Sequence, residues 1–169
     1  MAGGSLASSV HGIPRSTNDI DLVADVKEHH LEGLYRSLQQ EFYVDPPEIL
    51  QQALWNKRMF NLIHFASSYK FDIYPLGSDA YSQAAFARRA RGRHTFDDGE
   101  SIEFLVSSPE DAILAKMAWY RKGNQVAERQ WADILDVVRV QGDRLELDYL
   151  RQWAATLGVA DLLEEALRQ

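Results

Sequence analysis

The sequence predicts an α+β protein, with a strand-containing lobe over residues 1–107 and a C-terminal helical bundle over residues 108–169. Three observations carry this reading. Asp19-Ile20-Asp21-Leu22-Val23 has the β-branched, alternating character of a half-buried strand. Residues 59–65 and 69–74 are two strand-like runs joined by Ala66-Ser67-Ser68, which reads as a hairpin. From Ser108 onward the composition turns helical, beginning with Ser108-Pro109-Glu110-Asp111. That tetrapeptide has proline at the first helical position and acids in the first turn.

The elements follow in order. Gly3-Gly4-Ser5 forms a turn, and residues 4–11 read as a helix closed by Gly12 and Pro14. Ser16, Thr17 and Asn18 lead into the strand. Residues 27–40 place Leu31, Leu34, Tyr35 and Leu38 at helical spacing. Phe42–Val44 reads as a short strand stopped by Pro46-Pro47, and residues 48–55 as a short helix. The hairpin ends at Pro75 and Gly77. Residues 79–87 form a short helix, and Asp97-Asp98-Gly99 signals a hairpin turn before a returning strand at 102–106. Helices are expected over about 109–122, 126–140, 147–157 and 159–168.

Composition narrows the classes of function. A chain of 169 residues with 46% hydrophobic content can bury a core as one domain or one lobe with a helical appendage. No run of eighteen apolar residues exists, so no membrane-spanning helix is expected. The N-terminus lacks a charged segment followed by an apolar core, so no secretion signal is expected, and cytoplasmic residence is the default. The absence of cysteine excludes disulfides, thiolate catalysis and cysteine-ligated zinc. A net charge of −7 argues against a generally basic nucleic-acid binder.

The chemistry concentrates at the N-terminus. Side chains alternate along a strand, so Asp19 and Asp21 face the same way. Two such carboxylates repel unless a cation sits between them. Hard oxygen ligands suit Mg²⁺, which completes its shell with water and substrate phosphates. Glycines let a backbone approach a phosphate closely, and a helix N-terminus after Gly3-Gly4-Ser5 attracts anions. By itself, Asp-x-Asp is equally a pair of surface acids.

Further charged residues stand out from the pattern around them. Asp72 stands among Phe71, Ile73 and Tyr74, where a charge needs a partner or a metal; otherwise it faces water from an edge strand. Arg88, Arg89, Arg91 and Arg93 form the one dense basic run. On a strand, Arg89, Arg91 and Arg93 would share a face, as a solvated edge or as contacts to phosphate. At about 100° per residue, Lys116 falls between Ala112, Ile113, Trp119 and Tyr120 on an apolar face. Its ammonium either snorkels to water or meets an anion. Asp133 forms an i,i+4 pair with Arg129 and reads from the helical wheel as a surface acid.

Gly-Gly-Ser followed after thirteen residues by Asp-Ile-Asp resembles the motif of the nucleotidyltransferase fold superfamily. The wording of His11–Leu22, HGIPRSTNDIDL, is most similar to the abortive-infection (AbiEii-like) toxin nucleotidyltransferases, and PEDAILAKMAWY resembles a helix of those families. The resemblance implies a mixed sheet with flanking helices. It implies Mg²⁺ or Mn²⁺ on Asp19 and Asp21, with Asp72 as the third carboxylate, either a second-metal ligand or a base. Two metals would then steady the attacking and leaving oxygens. It assigns Gly3, Gly4 and Ser5 to the β/γ-phosphates and Lys116 to their charge. Asp133 carries over from the pattern of an arginine, an aspartate and Asp-Ile, although Gln130 stands where an acid is usual. The implied reaction transfers a nucleoside monophosphate from an NTP to an acceptor hydroxyl on RNA or a tRNA end, a protein or a small molecule. Arg89, Arg91 and Arg93 would serve that acceptor. A toxin role would bring an antitoxin partner. The family's usual upstream strand is expected to be missing or a stub, since only Met1-Ala2 precede Gly3. Two rival functions share the fold: an inactive interaction protein, and a nucleotide sensor that binds without transfer.

Overall fold

A computed structural model of the chain describes residues 1–95 and 101–169. The segment Asp97-Asp98-Gly99, expected to turn a hairpin, lies outside the described residues.

The expected alternation of elements is present. Helix α1 (Gly4–His11) leads to strand β1 (Asp19–Ala24), helix α2 (Glu28–Leu38), strand β2 (Phe42–Val44) and helix α3 (Pro47–Trp55). Strands β3 (Phe60–His64) and β4 (Lys70–Pro75) form the hairpin. Helix α4 (Ala80–Ala87) precedes β5 (Ala90–Thr95) and β6 (Ser101–Val106). Helices α5 (Pro109–Lys122), α6 (Glu128–Gln141), α7 (Leu147–Leu157) and α8 (Ala160–Leu167) complete the chain, with a 3-10 turn at Gly142–Arg144. Ser108 caps α5 by accepting a hydrogen bond from the Asp111 amide, as its position before Pro109 predicts. Gly158 ends α7 in the left-handed region, with φ of +69°.

The main sheet has the order β1-β4-β3-β2, with β1 parallel to β4 and the other neighbours antiparallel. It is therefore mixed. Strands β5 and β6 form a separate antiparallel pair. Alternation then sorts the sheet's side chains. Leu22, Phe71, Ile73, Phe60 and Leu62 pack on one face against Leu31 of α2 and Leu50 of α3. Asp19, Asp21, Lys70, Asp72 and Tyr74 take the opposite face by the same two-residue period. A second core, with Ile113, Leu114, Met117, Ile134, Leu150 and Leu163, fills the space among α5–α8.

A third, small cluster of Ala2, Ala7, Val106 and Ala112 lies between these cores. Its centre is Ala2, which is 2% exposed. Ala2 bridges Leu22 antiparallel on one side and Val106 parallel on the other. Its N–H donates to Leu105 O at 2.6 Å, and its carbonyl accepts from Ser107 N at 3.0 Å. Ala2 is thus a bridging residue that stitches β1 to β6. Helix α1 continues from it and packs against β1, α5 and α6.

The stitch generates a stability prediction. Ala2→Pro removes the N–H that bonds Leu105 O and loses that hydrogen bond at a buried residue, at a cost of about 1 kcal/mol. Chemical denaturation measures this directly. An unchanged midpoint would show that the Ala2 bridge is not what joins the two sheets.

Candidate active site

The carboxylate face of the sheet forms the floor of a cavity of about 740 Å³. Gly3, Gly4, Ser5, Asp19, Asp21, Asp72, Lys116 and Asp133, eight residues singled out from the sequence, all line it. They come from α1 and its entry, β1, β4, α5 and α6. Parallel pairing sets Asp21 directly beside Asp72. Asp19 stands one pleat earlier, opposite Lys70, with its side chain 66% exposed.

Gly4 has a specific reason to be glycine. Its φ is +50°, and a Cβ placed there would fall 1.8 Å from Asp21 Oδ2. The close approach is therefore to the carboxylate itself. Gly3 N–H also donates to Asp21 O at 2.9 Å, tying the turn to β1. The amides of Gly4, Ser5 and Leu6 open α1 and have no intrahelical partner, as the geometry of a helix start requires. The glycine turn and the second aspartate are one packed unit.

Asp72 is buried, at 6% exposure, which overrules its reading as a water-facing edge residue. Lys70 Nζ lies 3.0 Å from Asp72 Oδ2 and 3.7 Å from Asp19 Oδ1. Its hydrogen bond to Asp72 raises the Lys70 pKa, favouring the charged form. Among the described residues, Asp72 Oδ1 has no hydrogen-bond partner. Burial, followed by the charge of Asp72, pushes the Asp21 carboxyl above its ordinary value, while Lys116 and Lys70 pull the other way. The Tyr74 hydroxyl is likewise pushed up, first by burial and then by the charges of Asp21 and Asp72.

Among the described residues, no group of three or more His, Asp or Glu side chains forms a ready-made metal cage. The donor set nonetheless fits a hard divalent cation of the kind that takes only one or two carboxylates and completes its shell from phosphate and water. Asp21 and Asp72 are neighbours, Asp19 is exposed to the cavity, and Asp72 Oδ1 is unpaired.

The roof of the cavity corrects one reading and decides another. Asp133 is 7% exposed and is not a surface acid. Its partners come from elsewhere than Arg129. Lys116 Nζ donates to Oδ2 at 2.8 Å, and Arg15 donates from Nε to Oδ1 at 3.0 Å and from Nη2 to Oδ2 at 2.8 Å. Lys116, at 8% exposure, does not snorkel to water. It is held in the cavity wall by a carboxylate. Burial alone would raise the Asp133 pKa, but hydrogen bonds from Arg15 and Lys116 outweigh it, and the net shift is downward. Arg15 Nη2 also donates to Ser5 Oγ at 2.5 Å, linking this clasp to the glycine turn.

Arg15, Lys70, Tyr74 and Trp119 are site residues that pattern reasoning did not assign. Arg15 meets Asp133 across 118 positions of sequence, so no local period marks it. Lys70 had one available signal: it shares a strand face with Asp72, two residues on. The basic run divides. Arg88 is structural, paired with Glu110 at 3.1 Å and Glu146 at 2.7 Å and stacked over Tyr149. Arg89 precedes β5 and donates to Phe86 O. Arg91 and Arg93 lie on β5 beside Glu103, at 3.8 and 2.9 Å. None of Arg89, Arg91 and Arg93 lines the cavity. His64 bonds Ser67 and packs on Phe42, and it does not line the cavity.

Two outcomes follow from the charges. Asp21 has a raised folded pKa, so the folded state binds its proton more tightly than the unfolded chain does. Stability from this group is therefore present at low pH and is lost as pH rises through the raised value. Asp21→Asn should be more stable than the parent near neutral pH and should lack this part of the pH dependence. Thermal melts from the ordinary carboxylate pKa upward test it, and parallel curves would refute it. Asp133 behaves oppositely: its contribution is present above the ordinary carboxylate pKa and is lost as pH falls through the depressed value. Asp133→Ala should cost about 3–5 kcal/mol at neutral pH by leaving Lys116 and Arg15 uncompensated. A loss under about 1 kcal/mol, the range of an exposed pair, would mean the clasp is solvated.

No protein-family model and no curated protein matches the sequence. Solved structures do match the fold. One is the crystal structure of an antigenic nucleotidyltransferase-like protein from Paracoccidioides brasiliensis. The likeness covers 99% of this chain and 83% of that one, with a TM-score of 0.50 and 16% identity. With its four-stranded mixed sheet, flanking helices and C-terminal helices, the chain has a nucleotidyltransferase-like α+β fold.

Proposed function

We propose that this chain transfers a nucleoside monophosphate from a nucleoside triphosphate to an acceptor hydroxyl, releasing pyrophosphate. The observation that carries the reading is the meeting in one cavity of the Gly4–Ser5 turn, the three aspartates and Lys116. Asp19 and Asp21 would hold Mg²⁺ or Mn²⁺. A divalent cation bound there supplies charge neutralisation for the phosphate oxygens and the displaced pyrophosphate. The free amides at the start of α1 bind the β/γ-phosphates, and Lys116, fixed by Asp133, offsets their charge. Arg15 holds Ser5 in place. Asp72, with Oδ2 on Lys70 and Oδ1 unpaired, is suited to accept the acceptor's proton. The acceptor oxygen then bonds to the α-phosphorus, and the bond to the β-phosphate oxygen breaks.

The finer grouping with AbiEii-like toxins is supported by the wording of His11–Leu22 and Pro109–Tyr120. A toxin role, an antitoxin partner and cytoplasmic residence belong to that grouping. A second reading, nucleotide sensing without transfer, is favoured by Lys70. Its ammonium bridges Asp19 and Asp72, where a reacting complex would need a metal.

Calorimetry with each NTP and Mg²⁺ tests binding, and incubation with α-labelled NTP and total RNA or protein tests transfer. Asp19→Ala and Asp21→Ala should each weaken Mg²⁺-dependent NTP binding at least about tenfold, since even outer partners of a metal cost that much. Unchanged affinity in both variants removes the metal assignment. Binding without label transfer to any acceptor favours the sensor.

A further inference from the structure

We propose that Trp119 is the nucleobase platform of this site, so that the cavity takes nucleosides and not merely polyphosphates. The inference rests on the nucleotide reading above and assigns its other half. Trp119 lies on α5 one turn beyond Lys116, about 4.5 Å further along the axis. The two residues line the same cavity, yet their environments are opposite. Lys116 is buried on a carboxylate, whereas Trp119 is 53% exposed. Helix α5 otherwise buries its large apolar side chains: Ile113, Leu114 and Met117 are all fully enclosed. An indole left open in a cavity wall is therefore not explained by core packing.

Its surroundings orient it. The Tyr74 ring meets Trp119 edge to face, with centroids 6.4 Å apart. Tyr74 is two residues beyond Asp72 on β4, and so shares the carboxylate face. Lys122 Nζ stands 4.9 Å from the indole centroid, over one face of the ring. An aromatic wall thus adjoins the carboxylates, while Lys116, Ser5 and the α1 amides lie on the phosphate side. A flat π-surface beside an anion site is the arrangement that takes a base and its phosphates together, and stacking tolerates any base because every base has a π-face. Both residues should therefore contribute affinity with little discrimination among the four NTPs.

The test compares Mg²⁺-NTP with Mg²⁺-tripolyphosphate, a ligand that keeps the phosphates and lacks the base, by calorimetry on the wild type, Trp119→Leu and Trp119→Phe. The wild type should bind NTP more tightly than tripolyphosphate. Trp119→Leu should lose about tenfold in NTP affinity, the lower part of the range for one stacked base, with tripolyphosphate affinity unchanged. Trp119→Phe should recover most of the loss. Equal NTP affinity in Trp119→Leu and wild type overturns the platform, as does an equal loss for both ligands. If the wild type binds tripolyphosphate as tightly as NTP, the base contributes nothing and the platform fails while the phosphate site stands. A wild type that binds neither ligand overturns the nucleotide reading and the platform with it.

Discussion

One carboxylate holds the two halves of this molecule in register. Asp133 on α6 shares its charge between Lys116 on α5 and Arg15 in the connection from α1 to β1. Arg15 extends the contact to Ser5 at the glycine turn. A buried ion pair of this sort is weak evidence for stability as such, because desolvation offsets much of the Coulomb gain. Its value here is positional. Two cations and a hydroxyl, drawn from three segments, are fixed around one cavity by a single shared anion. Without it, Lys116 would be an ammonium on an apolar helix face, and its lowest-energy course would be to leave the cavity for water.

The opposite wall obeys a different constraint. A mixed sheet covered by helices on one face leaves the other to polar groups, and the two-residue period gathers all of β1's and β4's charges there. Asp19, Asp21 and Asp72 would repel one another in isolation. The protein lowers that repulsion with its own cation, Lys70, while burial and then Asp72 push the Asp21 carboxyl above its ordinary value. Gly4 permits the arrangement, because any side chain at that position would collide with Asp21. The floor is thus preorganised to receive positive charge, and the roof to receive negative charge. A phosphate chain bridged by a cation satisfies both.

A fold shared at 16% identity says how the chain is arranged. It does not say what the arrangement does, since one fold hosts many chemistries. The functional reading therefore rests on the residues in the cavity: their pairing, their burial and the unpaired oxygen of Asp72. Lys70 is the residue on which active and merely binding forms of such a site would differ most, because it stands between two of the carboxylates.

Much of the architecture was legible in the linear chain. Helices and strands announced themselves through local signals: the apolar stripe of α2, the alternation in β3 and β4, and the Ser108-Pro109 start of α5. Asp19 and Asp21 could be placed on one face because strand period alone decides it. What required the tertiary structure was every relation between distant segments. Asp133 looked like a surface acid because a helical wheel knows only its own helix, whereas its burial is set by Lys116 and Arg15 arriving from elsewhere. Lys116's partner, Lys70's bridging position and the reason Gly4 must be glycine were hidden for the same cause. Periodicity reports which way a side chain points from its own backbone. Only the folded chain decides what charge it meets there.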